Sequence, residues 1–572
     1  MPYISKNLHL AHGVGGQRGQ KWVYDTIDTL ATAALPSHMF DAGQRGMRVG
    51  DEVHIRHFTN SAWVTLVDEA RYICLTVSDP DGASLTLAAG GEDDEGSPES
   101  VVAYTTDAPV GSLSLVDIAP VLGQGYRTLF FDSTQYTASG GLWRCFAISG
   151  MGAAGTISDV IDTGLVLEGN NGRYVLMPER GVNPTQIGAK WDSATLGQQV
   201  IIHKVRDYCI RKNVPLYMEG VYMPLDATLN LDVIPTIDAD AAEFREPAAG
   251  FNGLMVRAAS GAISDYKRRK LRVRGINQGP NQGLGQYTWT GTPSLATGVQ
   301  IFNDRGGFTD SEIWVSRLKR GCLLGEVEKG LITVHATYCG IVIESDFTAG
   351  TSDTVVYTIT GTQCMQAFIS GGGDTTEIVN LNIENFIDDG TSVASYRFPA
   401  VNRNKACLEI GNGKYMQVGG RARAYNGRSF ITDDRKNGSA SFPSASDIEF
   451  DNLSTIHTYG TLYDSYGVQR LSGRWHMHDN GPARLGYGDV VGGIACPTAW
   501  LRELKDGVDW HMHASRCYTR EAVRFGDVTV GINLKCKNSH LGTYTGNMVN
   551  ADGTGFDPST SSFPNNLTFM VF

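Results

Sequence analysis

From about residue 225 to residue 572 the chain is a succession of short runs in which apolar and polar residues alternate one by one. Examples are Gly340-Ile341-Val342-Ile343-Glu344, Glu377-Ile378-Val379-Asn380-Leu381-Asn382-Ile383-Glu384 and Cys407-Leu408-Glu409-Ile410-Gly411-Asn412-Gly413. Asp447-Ile448-Glu449-Phe450 and Asp527-Val528-Thr529-Val530-Gly531-Ile532 follow the same rule. Alternation with a period of two sends successive side chains to opposite faces of a strand, so these runs read as strands that bury one face. Turn residues separate them, and no second long helical pattern intervenes, which argues against a βαβ sheet. Composition agrees. Glycine is 68 of 572 residues and charged residues are only 19%, which excludes a coiled coil, while 41% hydrophobic residues supply a core that a disordered chain lacks. Many short strands with loops of variable length are the signature of a solenoid, each coil covering its neighbour's open face. The expected class is all-β.

One helix stands out before this region. Asp192 or Ser193 is a cap for its start, Ala194, Ile201, Val205 and Cys209 share a face, and Asn213 and Pro215 stop it. Pro215-Leu216-Tyr217-Met218-Glu219-Gly220-Val221-Tyr222 then reads as a strand and glycine turn. Residues 1–155 form a mixed leader ending in the small-residue run Gly150-Met151-Gly152-Ala153-Ala154-Gly155. The expected division is 1–155 as leader, 156–224 as linker and helix, 225–540 as shaft and 541–572 as a terminal segment. Near the C-terminus Arg474-Trp475-His476-Met477-His478 recurs as Asp509-Trp510-His511-Met512-His513, a degenerate internal repeat.

The net charge is −12, so the totals imply no nucleic-acid surface. The densest basic run, Lys267-Arg268-Arg269-Lys270-Leu271-Arg272-Val273-Arg274, alternates with apolar residues in its second half and reads as an exposed strand face. None of the ten cysteines forms a C-x-x-C pair, so they read as small buried hydrophobes. Met1-Pro2-Tyr3-Ile4-Ser5-Lys6 is not followed by an apolar stretch, so no secretory signal is expected. No phosphate-loop, dinucleotide or nucleophile-elbow motif is present in the sequence. No cofactor, metal, nucleic-acid or membrane partner is expected.

Two places carry a resemblance. Gly188-Ala189, Asp192, the helix and the Glu219-Gly220-Val221-Tyr222 turn are similar to the opening segment of bacteriophage tailspikes of the pectate-lyase-like family. Met218 stands where that family usually has proline. Trp22-Val23-Tyr24, Asp28, Phe40-Asp41 and Val49-Gly50-Asp51-Glu52-Val53 resemble an N-terminal segment common in phage tail proteins. The resemblance implies a right-handed parallel β-helix that trimerises, preceded by a short capping helix and a small N-terminal virion-attachment region. It also implies a virion location, synthesis in the host cytoplasm, attachment to a tail or baseplate protein, and action on a bacterial surface polysaccharide.

Glycoside hydrolysis needs two carboxyl groups, roughly 5 Å apart for retention or roughly 6.5–9.5 Å for inversion. Strand parity turns Glu344, Asp346, Glu384 and Glu409 outward, which makes them the candidate catalytic set; acidic residues on a strand face are otherwise simply solvated. Trp314, Tyr415 and Tyr425 are candidates to stack on sugar rings, the alternative being packing under loops. The two His-x-His pairs each place both imidazoles on one strand face, a spacing compatible with a metal, but no acidic or cysteine partner lies nearby at diagnostic spacing. The function expected is recognition and depolymerisation of a capsule, O-antigen or exopolysaccharide by hydrolysis. A binding-only spike or a polysaccharide lyase on the same fold is the alternative.

Overall fold

The structure, a computed structural model, describes residues 8–12, 21–26, 52–59, 66–78, 82–87, 100–110, 112–133, 140–149, 152–179, 181–190, 196–234, 236–251, 253–258, 266–276, 280–281, 286–289, 296–345, 355–362, 364, 366–370, 379–387, 408–410, 414–423, 431–433, 446–456, 463–466, 470–478, 490–491, 494–495, 499–502, 508–517, 521–526, 532–540, 546–549 and 566–571. For some strand residues only the backbone is described. The chain divides into two compact units, Met1–Ser100 with Gly123–Gly125, and Val101–Leu122 with Tyr126–Phe572. The leader expected over 1–155 therefore spans the first unit and part of the second.

The first unit contains a five-stranded sheet. Strands Lys21–Thr26 and Glu52–Phe58 run parallel inside it. Trp22, Tyr24, Val53, Ile55 and Cys74 are among its buried apolar side chains. Arg56 grips the Asp25 carboxylate through two hydrogen bonds of 2.7 and 2.9 Å, the paired geometry that suits a guanidinium.

The second unit opens with a six-stranded sheet between Ser100 and Met177. The helix Gln199–Lys212 follows. It starts later than the sequence reading expects: Gln198 occupies the cap position without a side-chain cap bond, and Asp192, Ser193 and Ala194 lie outside the described residues. Its buried face is Ile202, Val205, Tyr208 and Cys209, the i, i+3, i+6 and i+7 positions of one stripe, while Ile201 is only half-buried. Each aliphatic side chain so buried contributes roughly 1.5–3 kcal/mol. Burial also pushes the Cys209 thiol up to about 12, which leaves it a packing residue rather than a nucleophile. Asn213 ends the helix as expected, at φ +52 with its N–H donating to Cys209 and Ile210 carbonyls. Just before the helix, Asn183 and Gln186 form a reciprocal capping box over Pro184–Ile187.

Among the described residues that follow, apart from two short antiparallel ladders, 23 strands form one curled, β-helix-like solenoid, each paired in parallel to the strand one coil away. Each coil contributes two strand segments, so two series of parallel strands stack in register. Tyr266–Arg274 pairs with 308–316, which pairs with 329–337, then Val355–Thr362, then Val379–Ile387. The other series runs through 297–302, 320–324, Ile341–Ser345, Gln366–Ser370 and Leu408–Ile410. One buried core runs from the six-stranded sheet through the helix into the coils. Asn566–Val571 is the last described strand, parallel to Ile532–His540.

Alternation holds along Tyr266–Arg274 and 308–316, whereas 324–327, Val342 with Ile343, and 366–369 are buried in unbroken runs. On Tyr266–Arg274, Leu271 and Val273 are buried and Arg268, Lys270, Arg272 and Arg274 are not, as an exposed strand face requires. Lys267 and Arg269, however, are buried at 0% and 1% exposure. Consecutive basic residues on a strand must divide between its faces. Asp304, 0% exposed, makes the inward placement tolerable. It accepts from Lys267 Nζ at 2.9 Å and from Arg269 Nη1 at 2.8 Å, and from the Thr309 hydroxyl. Among the described residues no helix is long and apolar enough to cross a membrane.

Candidate functional site

The outward face of the series that begins with Tyr266–Arg274 collects aromatic and ionisable side chains in columns. Along 308–316 the odd positions Thr309, Ser311, Ile313 and Val315 are buried, so Phe308, Asp310, Glu312, Trp314 and Ser316 lie on the other face. Register aligns Glu243, Arg272, Trp314, His335, Thr360 and Glu384 in one column across six coils. Parallel strands about 4.8 Å apart bring such neighbours into contact. The Arg272 guanidinium carbon lies 4.5 Å from the centre of the Trp314 ring, and the His335 ring stacks on it at 5.3 Å and 21°. Those two partners come from the strands on either side of Trp314, so contacts within the solenoid occupy the ring on both sides and its edge is what points outward.

In the adjoining column, the Glu312 carboxylate lies 3.7 Å from Lys270 Nζ and 3.6 Å from Nε2 of His335 in the Trp314 column. Pairs this exposed contribute at most about 1 kcal/mol each, so their value is in positioning. Further along the same face Tyr266, 50% exposed, stacks parallel to Phe308 at 6.2 Å. Its hydroxyl donates to Asp310 Oδ2 at 2.6 Å, and that hydrogen bond, with some burial and the Asp310 charge, raises the phenol's pKa.

The sequence-derived carboxylates divide between the two strand series. Glu384 belongs to the Trp314 column. Glu344 and Glu409 belong to the other series, in one column with Leu323 before them and Ile369 between them. Glu344 is half-buried between Ile343 and Ser345, both fully buried, and forms an ion pair with Arg320 of the preceding coil. Arg320 also reaches Thr297 Oγ1 at 3.4 Å, so it is tied to the coils on both sides. Of Glu384, Glu409 and Tyr415 only the backbone is described, and Asp346 and Tyr425 lie outside the described residues. Sequence reasoning did not select Glu312, His335, Arg272 or Tyr266. The alternating basic strand was the signal for Arg272, but nothing local could have revealed that Glu312 and His335 meet across coils.

No family model matches this sequence. No curated protein matches it either. Among solved structures, full-length tailspike protein 2 from an Escherichia coli O157:H7 bacteriophage is similar at 11% identity and a TM-score of 0.42, over 80% of this chain and 58% of that one. The enzymatically active domain of bacteriophage CBA120 tailspike protein 2 is similar at 12% identity and a TM-score of 0.38, over 72% of this chain and 56% of that chain. The tailspike protein of Acinetobacter baumannii phage AM24 follows at 11% identity and a TM-score of 0.34, over 77% and 65%. The chain thus spans less than two thirds of the length of each. The likeness is broad, to phage tailspikes as a group at low identity.

Proposed function

We propose that this chain is a phage tailspike that binds a bacterial surface polysaccharide along its solenoid and hydrolyses it. The observation that supports this best is register: Glu384 falls in the column of Trp314, in the series that carries Tyr266 and Phe308, and Glu344 and Glu409 fall in one column of the other series with Ile369 between them. Glu344 and Glu409 are two strand spacings apart, about 9.6 Å between backbones. Carboxyls near that separation leave room for a water beside the sugar, as inversion at the anomeric carbon requires. One carboxyl protonates the leaving oxygen while the other draws a proton from the attacking water. Arg320 holds Glu344 in place. Trp314, Tyr415 and Tyr425 are assigned to contacts with sugar rings, Trp314 through its edge and its Arg272 partner. Asp346 is kept as a second acid beside Glu344.

In this reading the solenoid is a right-handed parallel β-helix, the hand that parallel crossovers take in about 98% of cases. It assembles as a homotrimer, with the N-terminal region on the tail or baseplate, in a virion assembled in the host cytoplasm. Incubating the full chain with purified capsule, O-antigen and exopolysaccharide tests it. New reducing ends are expected, whereas unsaturated uronates would identify a lyase and intact polymer that is nonetheless retained would identify a binding spike. Glu344→Gln and Glu409→Gln should each reduce cleavage by about 100- to 10,000-fold. Full activity in both would move the chemistry to Glu384.

A further inference from the structure

The two His-x-His motifs meet on one outward face. Trp475 and Met477 on Leu471–His478 are buried, as are Trp510 and Met512 on Val508–Cys517, so His476, His511 and His513 share the opposite face. The strands are parallel neighbours, and register sets His476 level with His513, His511 level with Arg474, and His478 level with Ser515. The rings of His476 and His513 have centres 5.6 Å apart and are inclined at 69°. An imidazole nitrogen bonds a first-row metal at about 2.0–2.1 Å, which sets each ring centre about 3.2 Å from the ion and two tetrahedrally disposed rings about 5.2 Å apart. The observed separation is a few tenths of an ångström wider, within the reach of a small side-chain rotation.

We propose that His476 and His513 form an open two-histidine site for a divalent transition-metal ion. Among the described residues no group of three metal-ligating side chains occurs, so water or an exogenous ligand completes the coordination. Neutral imidazole suits copper, nickel and zinc, and the ordinary affinity order puts copper first. An ion held by both histidines also ties together two neighbouring parallel strands of one series.

Trp475 and Trp510 lie in the layer directly beneath and serve as reporters, because a bound copper(II) ion quenches nearby indole emission. Titration of the full chain with copper(II) should quench tryptophan emission saturably at one equivalent per chain, with recovery on adding a chelator. Calorimetry with zinc(II) should give the same stoichiometry at lower affinity. His476→Ala and His513→Ala should each weaken binding at least tenfold, and His511→Ala should stay within threefold of the parent. His476→Gln replaces the alanine variant if its circular dichroism departs from the parent's. No saturable equivalent in the parent overturns the site. So does undiminished binding in both the His476 and His513 variants, or a loss in His511→Ala equal to theirs.

Discussion

The early and late coils of the solenoid share one backbone plan and fill it in opposite ways. Between 266 and 337 the inward columns include Lys267 beside Thr309 and Arg269 beside Ser311, with Asp304 closing the charges. Between 448 and 512 the corresponding column is Phe450, Gly473 and Trp510, with Trp475 alongside. Phe450 and Trp475 are 4.9 Å apart, Phe450 and Trp510 5.6 Å, and the two indoles 6.0 Å. Such aromatic contacts add about 0.5–1.5 kcal/mol each beyond area burial. The buried ions stabilise little beyond what an apolar filling would. The parallel ladder therefore sets the coil, and its lumen accepts any filling whose volume and charges are satisfied.

Removing one member from each filling should break the comparison most visibly. Asp304→Ala leaves two buried cations without their carboxylate and should cost about 4–5 kcal/mol, read as a fall in the denaturant midpoint. Replacing all three ions with Lys267→Met, Arg269→Leu and Asp304→Leu together should be neutral or stabilising by about 1–4 kcal/mol. Trp510→Ala should cost about 3–4 kcal/mol through the cavity it leaves, with no ionic partner to orphan. If Asp304→Ala proves milder than Trp510→Ala, the ionic filling is better hydrated than its burial indicates.

The smallest difference is in acid. Burial alone would raise the pKa of Asp304, but the Arg269 charge, with hydrogen bonds from Arg269, Lys267 and Thr309, outweighs it and holds the carboxyl below its ordinary range. A carboxylate depressed in the folded state contributes stability above its unfolded pKa, about 3.9, and that contribution is lost as pH falls through the lower folded value. Below about pH 3.9 the parent should therefore lose stability more steeply than the triple apolar variant. Parallel acid-unfolding curves for the two would remove Asp304 from the account.

Much of the strand content was legible because alternation is a local property. Ile448, Glu449 and Phe450 alternate buried, exposed and buried as their sequence requires, and Asn213 stops the helix where its left-handed backbone is tolerated. The candidate site was legible only in part. Strand parity expected Glu344 outward with Ile341 and Ile343 inward; Glu344 is half-buried beside fully buried Val342 and Ile343, and its pairing with Arg320 and the separate course of Glu384 depend on which strand lies above which. The basic run misled for the same reason, since its inward half needed Asp304, thirty-odd residues away and invisible to local pattern.

The tryptophan repeat shows where the boundary falls. Two copies of Trp-His-Met-His invite stacking of Trp475 directly on Trp510, yet the register is displaced by two, with Trp475 level with Met512 and Trp510 level with Gly473. Gly473 sits at φ +102, and a Cβ there would approach the Phe450 carbonyl oxygen to 2.3 Å, so this position stays bare and a neighbouring indole fills its level. A displacement by two keeps every side chain on its own face, so alternation cannot detect it. Composition and alternation by themselves determined that this chain makes strands and where the helix stops, because these depend on neighbours along the chain. The tertiary structure alone decided which coils meet at which level, because bends and excursions of unequal length set the register, and with it the company that Trp314, Glu344 and His476 keep.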